Sequence, residues 1–229
     1  WIVPPIGAIE KIRPLQVSMM HILFLHGFLS SPTSKKSLDM AAYLDERDLL
    51  GYFHAPVLPV EPQAALFAAE SALMEFIDEP FLLVGSSLGG YYATHLAEKW
   101  NAPAVLINPA VRPVETLKQH VGWQIHHSTG ERVFVRPEYF AQLEKMYVPN
   151  LSLDRYWLLA SRDDAVLDCQ QAEARYAGAK QTVLDTGGHT FEAFADYLEA
   201  IYECGSAWTG RAAWTCLGHD SRRWWRAWL

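Results

Sequence analysis

The sequence predicts an α/β sandwich, a mostly parallel sheet covered by helices on both faces. Three observations predict it. Short, continuously apolar runs recur along the chain, as strands buried on both faces require. Longer stretches with apolar residues at helical spacing lie between them. The two kinds of segment alternate, the order that builds parallel strands through helical crossovers. At 229 residues the chain is long enough for one sizeable domain.

Each element can be read in turn. Residues 21–25 (HILFL) form the first strand, and 37–48 the next helix, with Leu38, Ala41, Ala42 and Leu44 straddling its faces. A strand is expected over 53–58. Pro62 opens a helix in the first-turn position that proline favours, and Ala65, Leu66, Ala69, Leu73 and Phe76 recur along it at helical spacing. Residues 81–84 read as a buried strand, 88–100 as the helix after it, and 104–107 as the following strand. Two more strands are expected at 156–160 and 182–184, separated by a helix over 167–176, with a last helix over 190–202.

One stretch breaks this rhythm. From Ala110 to Asn150 no sheet strand is evident, yet Trp123, Phe134, Tyr139, Phe140 and Tyr147 fall there. In such sheets an insertion after a strand's C-terminal end lies over the ligand crevice. Residues 110–150 are therefore expected to form a small cap.

The two ends differ from the rest. Trp1 opens the chain and Met20 stands directly before the first strand, so 1–19 reads as an extension to a domain spanning 20–204. Five of the nine tryptophans fall in the last 22 residues: Trp208, Trp214, Trp224, Trp225 and Trp228. Residues 205–229 also carry four arginines against Asp220, a balance of +3; the whole chain carries −7, so residues 1–204 carry −10. This tail reads either as a basic, aromatic membrane-surface segment or as vector-derived, read-through or frameshifted sequence outside the fold.

The acidic balance argues against a nucleic-acid binder, which usually presents a basic face. No apolar run reaches the ~18–20 residues of a membrane span. Cys169, Cys204 and Cys216 show no Cys-x-x-Cys spacing, which fits a reducing compartment better than a disulfide scaffold. Residues 1–20 have no secretory-signal pattern, so a cytoplasmic location is expected.

Gly85-Ser86-Ser87-Leu88-Gly89 carries the chemistry. The pattern Gly-x-Ser-x-Gly between a buried strand and a helix is that of a nucleophile elbow, the hallmark of the α/β-hydrolase fold. The turn is tight enough to demand glycine on either side of Ser87. The helix start aims N–H groups and a positive dipole end at a developing oxyanion.

Serine needs a base held by an acid, in the chain order Ser, Asp or Glu, His. His189, in Gly187-Gly188-His189-Thr190, follows a late strand and is the candidate base. The acid belongs in the loop after 156–160, where Asp163 and Asp164 are both candidates and one of them could instead cap the next helix. Spacing alone leaves the choice open. For the oxyanion hole, the N–H of Leu88 pairs with that of Phe28, which follows the first strand in His26-Gly27-Phe28. His26 reads as a structural hydrogen-bonding residue. His120, His126 and His127 lack carboxylates at ligand spacing, so no metal site is expected there. No Walker-type loop or dinucleotide fingerprint is present.

Several motifs together resemble the small YqiA-type esterases of the α/β-hydrolase superfamily. They are Leu25-His26-Gly27-Phe28, Ser30-Ser31-Pro32, the run from Gly85 to Ala93, Asn108-Pro109-Ala110 and Asp164-Ala165-Val166-Leu167-Asp168. The similarity covers about residues 20–203. It implies hydrolysis of small-molecule acyl esters with neither metal nor organic cofactor. It also favours Asp164 over Asp163, because Asp164 aligns with the first Asp of the family's Gly-Asp-Glu-Val-Leu-Asp, and Asp163 then replaces that glycine. A rival reading within the class is an acyl-CoA thioesterase. A rival of another class is a non-catalytic small-molecule-binding protein on the same fold.

Overall fold

In a computed structural model of the chain the described residues are 19–207; the expected Trp/Arg-rich tail, but for its first three residues, and residues 1–18 of the expected extension lie outside them. The strands are β1 (His21–Leu25), β2 (Phe53–His54), β3 (Phe81–Ser86), β4 (Ala104–Ile107), β5 (Gly122–Ile125), β6 (Arg132–Val135), β7 (Tyr156–Ser161) and β8 (Lys180–Leu184). Six of them form one sheet in the order β2-β1-β3-β4-β7-β8, and every pairing in it is parallel. The parallel α/β architecture read from the alternation of segments is the one observed.

Period-two alternation explains why these strands are apolar throughout. Leu23, Leu25, Leu83, Leu106 and Leu158 enter one core, beneath α2 (Pro62–Met74) and α3 (Leu88–Trp100). Ile22, Phe24, Leu82, Val84, Val105, Ile107, Trp157 and Leu159 enter the opposite core. There they meet Met40 and Leu44 of α1 (Lys35–Asp45) and Ile201 of α7 (Leu198–Ala207). A strand with helices on both sides has no face left for polar residues. Because all six strands run the same way, the loops leaving β1, β3, β4, β7 and β8 share one edge of the sheet. Ligands of open α/β sheets bind at that edge.

Some boundaries differ from expectation, each for a local reason. The strand expected over 53–58 is only Phe53–His54, because Pro56 and Pro59 have no N–H for a ladder. Helix α1 runs from Lys35 to Asp45 rather than 37–48. The last expected helix begins as a 3₁₀ segment, Glu192–Tyr197, after Phe191 in the left-handed region (φ 52°), and only then continues as α7. Between β7 and β8 the helix is α6 (Cys169–Arg175).

The 110–150 insertion holds α4 (Pro113–Leu117), the antiparallel hairpin β5–β6 and α5 (Glu138–Lys145). The hairpin was not evident in the sequence because its outward residues are apolar: Trp123, Ile125 and Phe134 are all exposed. That blurs the polar-out pattern by which a half-buried strand is read. The insertion is tied to the loop after β1, where His127 N–H donates to Leu29 O at 2.9 Å and the His120 and Phe28 rings meet at 5.7 Å. Helix α5 is held through Tyr91 Oη–H, which donates to Leu143 O at 2.7 Å. Among the described residues no helix is long and apolar enough to cross a membrane.

Candidate active site

Ser87 stands at the turn from β3 into α3, with φ 56° and ψ −122°. A non-glycine residue at positive φ is uncommon and strained. The surrounding chain enforces it. Ser87 N–H donates to Ile107 O at 3.0 Å, and its carbonyl accepts from Gly90 N–H (2.9 Å) and Ala110 N–H (3.0 Å).

The two motif glycines are required by close approach. A Cβ on Gly85 would lie 2.5 Å from Gly89 O, and one on Gly89 would lie 2.6 Å from His26 O and closer still to Leu25 O. Those obstacles are backbone, which cannot step aside. Gly89→Ala should therefore cost about 3 kcal/mol or more through overpacking, read as a drop in the midpoint of urea unfolding.

Leu88 is the first residue of α3, so its N–H belongs to the set that a helix leaves without an internal partner. The loop after β1 runs against the serine, since a Cβ on Gly27 would be 3.1 Å from Ser87 Cβ. Phe28 follows directly. His26 is buried, its Nδ1 3.0 Å from Gly27 O and its Nε2 accepting from Leu58 N–H at 3.1 Å. Burial lowers its pKa, with His126 adding to the effect against the Gly27 hydrogen bond. A neutral ring that donates through Nδ1 suits both partners, a structural arrangement.

His189 lies in the loop after β8. Its Nε2 is 3.1 Å from Ser87 Oγ and its Nδ1 is 2.8 Å from Asp164 Oδ2. An ionised carboxylate only accepts, so Asp164 fixes the proton on Nδ1 and leaves Nε2 as acceptor towards the serine hydroxyl. The Asp164 side chain is 1% exposed and that of His189 29%. Burial alone would raise the Asp164 carboxyl. The His189 hydrogen bond and the N–H groups of Leu167 (3.0 Å) and Val166 (2.8 Å) on Oδ1 outweigh it and hold the pKa below the ordinary value.

The two neighbouring aspartates thus face different partners. Asp163 accepts backbone N–H groups from the histidine loop, Gly188 at 2.8 Å and Gly187 at 3.3 Å, and does not face the ring. Neither caps the next helix: Asp168 does, accepting from Gln170 N–H at 2.9 Å.

Two further side chains hold the same loop: Asn108, which the sequence marks only as part of Asn108-Pro109-Ala110, and Lys36, which it does not mark. Asn108 Nδ2–H donates to Gly188 O (2.9 Å) and His189 O (3.1 Å), and Lys36 Nζ donates to Thr190 O (2.8 Å). Burial pushes the Lys36 ammonium down to about 8 despite nearby Asp39. Neither residue sits in a catalytic pattern, and their carbonyl partners are 80 or more positions away in sequence. Among the described residues, no group of three or more His, Cys, Asp and Glu is placed to hold a metal ion.

A parallel sheet with a strand–serine–helix turn at its C-terminal edge is the α/β-hydrolase fold, and solved structures share it. The chain superposes on mouse alpha/beta hydrolase domain-containing protein 10 with a TM-score of 0.59 at 19% identity, covering 80% of this chain and 88% of that one. It superposes on Est1E from Butyrivibrio proteoclasticus with a TM-score of 0.56 at 12% identity, covering 80% and 85%. The chain belongs to UPF0227, an uncharacterised protein family whose model matches residues 21–204. Among its relatives are the UPF0227 protein YcfP of Salmonella paratyphi A, 26% identical over 185 residues, and a UPF0227 protein of Shewanella sp. strain MR-4, 27% identical over 187. Each alignment covers 79% of this chain and 96% of the relative. The matched stretch nearly coincides with that of the YqiA-type resemblance.

Proposed function

We propose that the protein is a serine hydrolase of acyl esters, with Ser87 as nucleophile, His189 as general base and Asp164 as the acid that orients it. The observation that carries this reading is the unbroken chain from Ser87 Oγ to His189 (3.1 Å) and from His189 to Asp164 (2.8 Å). Both distances lie within the reach that proton transfer needs.

Ser87 Oγ attacks the ester carbonyl as its proton passes to His189 Nε2, and the carbonyl electron pair moves onto oxygen. The N–H groups of Leu88 and Phe28 receive that oxyanion. On collapse the bond to the alcohol oxygen breaks, and the alcohol leaves with the proton from His189. Water then repeats the sequence on the acyl-enzyme and frees the carboxylic acid. Among the neighbours in fold, Est1E has a structure with ferulic acid bound, and LipS and LipT are described as lipolytic enzymes. Acyl compounds of that kind are the substrates to try first.

A fluorophosphonate probe tests the reading because it reports the activated serine without knowledge of the substrate. Labelling should fall on acidification, since a protonated His189 cannot accept the serine proton. Hydrogen bonds from His189, Leu167 and Val166 outweigh burial and hold the Asp164 carboxyl below the ordinary carboxylate range, so the acid itself stays ionised on mild acidification. Absence of labelling at neutral pH would favour the binding-protein reading. A panel of esters and thioesters of graded chain length then separates esterase from thioesterase.

A further inference from the structure

Asn108 is buried at the C-terminal end of β4, outside the Ser87–His189–Asp164 chain. Its backbone is left-handed, φ 39°, a conformation that asparagine tolerates better than most residues. Its own N–H donates to Leu159 O at 2.9 Å, anchoring it on β7. The carboxamide then spans two loops. Oδ1 accepts from Ser161 N–H at 2.9 Å, three residues before Asp164, while Nδ2–H donates to Gly188 O and His189 O. These partners fix the amide orientation, because the flipped amide would set its oxygen against two carbonyls and its NH₂ against an N–H.

We propose that Asn108 is a positioning residue that sets the register between the acid loop and the histidine loop, and through them the Ser87–His189 distance. The inference rests on the serine-hydrolase reading of the site. Ser161 starts the segment that carries Asp164, and the carbonyls that Asn108 holds belong to His189 itself and to Gly188 beside it. One side chain therefore fixes the backbone on both sides of the 2.8 Å bond between Asp164 and His189. Asp163 restrains the same loop through its N–H groups. Asn108 restrains its carbonyls, so the two side chains oppose movement in different directions. Rate is steeply sensitive here, since misplacement by 1 Å can cost on the order of 100-fold.

Asn108→Asp separates positioning from packing. It keeps the shape, the tolerance of positive φ and an acceptor for Ser161 N–H. It replaces the NH₂ by an oxygen that repels Gly188 O and His189 O. Asn108→Gly, which suits φ 39° and adds no charge, is the second variant should Asn108→Asp fail to fold.

With near-ultraviolet circular dichroism matching the parent, the expected result is a fall in kcat of about 100-fold with KM within about twofold. Proton NMR of the His189 Nδ1–H should also show its hydrogen-bonded resonance weakened or lost. If the folded variants keep kcat within threefold of the parent and an unchanged resonance, the inference is overturned. If the parent itself neither turns over acyl esters nor takes the fluorophosphonate, the serine-hydrolase reading fails instead. The resonance then decides the positioning role on its own.

Discussion

Ser87→Ala is expected to remove turnover, lowering kcat by about 10⁶-fold, the scale on which losing the nucleophile acts in serine enzymes. The fold should not change with it. The bonds that hold residue 87 in place run through its backbone, to Ile107, Gly90 and Ala110, and none of them needs the hydroxyl. Alanine keeps the same Cβ, so the packing against Gly27, where an added Cβ would come within 3.1 Å of that atom, is also retained. On the proposed mechanism, any small residual rate would come from the Leu88 and Phe28 donors acting on bound ester. Measurement of ester hydrolysis beside fluorophosphonate labelling checks the result. Turnover near the parent rate, with matching circular dichroism, would remove Ser87 from the mechanism.

Asp164→Asn should cost about 10⁴-fold in kcat, by the logic that an amide imposes the wrong histidine tautomer. Asp164 Oδ1 accepts the N–H groups of Val166 and Leu167, so the amide oxygen of an asparagine would take that side. Its NH₂ would then face His189 Nδ1 and drive the ring proton to Nε2. There it opposes the serine hydroxyl with a donor where an acceptor is needed. Asp163→Asn keeps its better bond, to Gly188 N–H at 2.8 Å, and should cost about tenfold or less through loosened positioning. The two variants, assayed for kcat at one neutral pH, discriminate sharply. A larger loss at Asp163 would reverse the assignment.

Most of the fold was legible because its determinants are local. Continuous apolar runs as short as Ile22 to Leu25 read as strands covered on both faces, since a helix runs longer. The strand–Gly-x-Ser-x-Gly–helix order marks the turn by itself. His189 was legible for the same reason, as a histidine after a pair of glycines late in the chain. The division of labour between Asp163 and Asp164 was not, because it depends on which way each carboxylate points as the chain leaves β7. Resemblance favoured Asp164, and the geometry brings that residue to the ring. The contacts of Asn108 and Lys36 were beyond reach, although Asn108 stands in the Asn108-Pro109-Ala110 motif: each side chain binds carbonyls that only folding brings near. The β5–β6 hairpin escaped notice because its aromatic residues face outward.

The left-handed backbone at Ser87 has a consequence for how this protein can evolve. Non-glycine residues in such conformations each cost of order 1–3 kcal/mol, and glycine would relieve most of that at residue 87. Natural or laboratory selection for heat resistance alone would therefore drift towards discarding the hydroxyl. The most robust descendants of this chain would be inert. On the proposed mechanism, stability and chemistry therefore pull in opposite directions at residue 87.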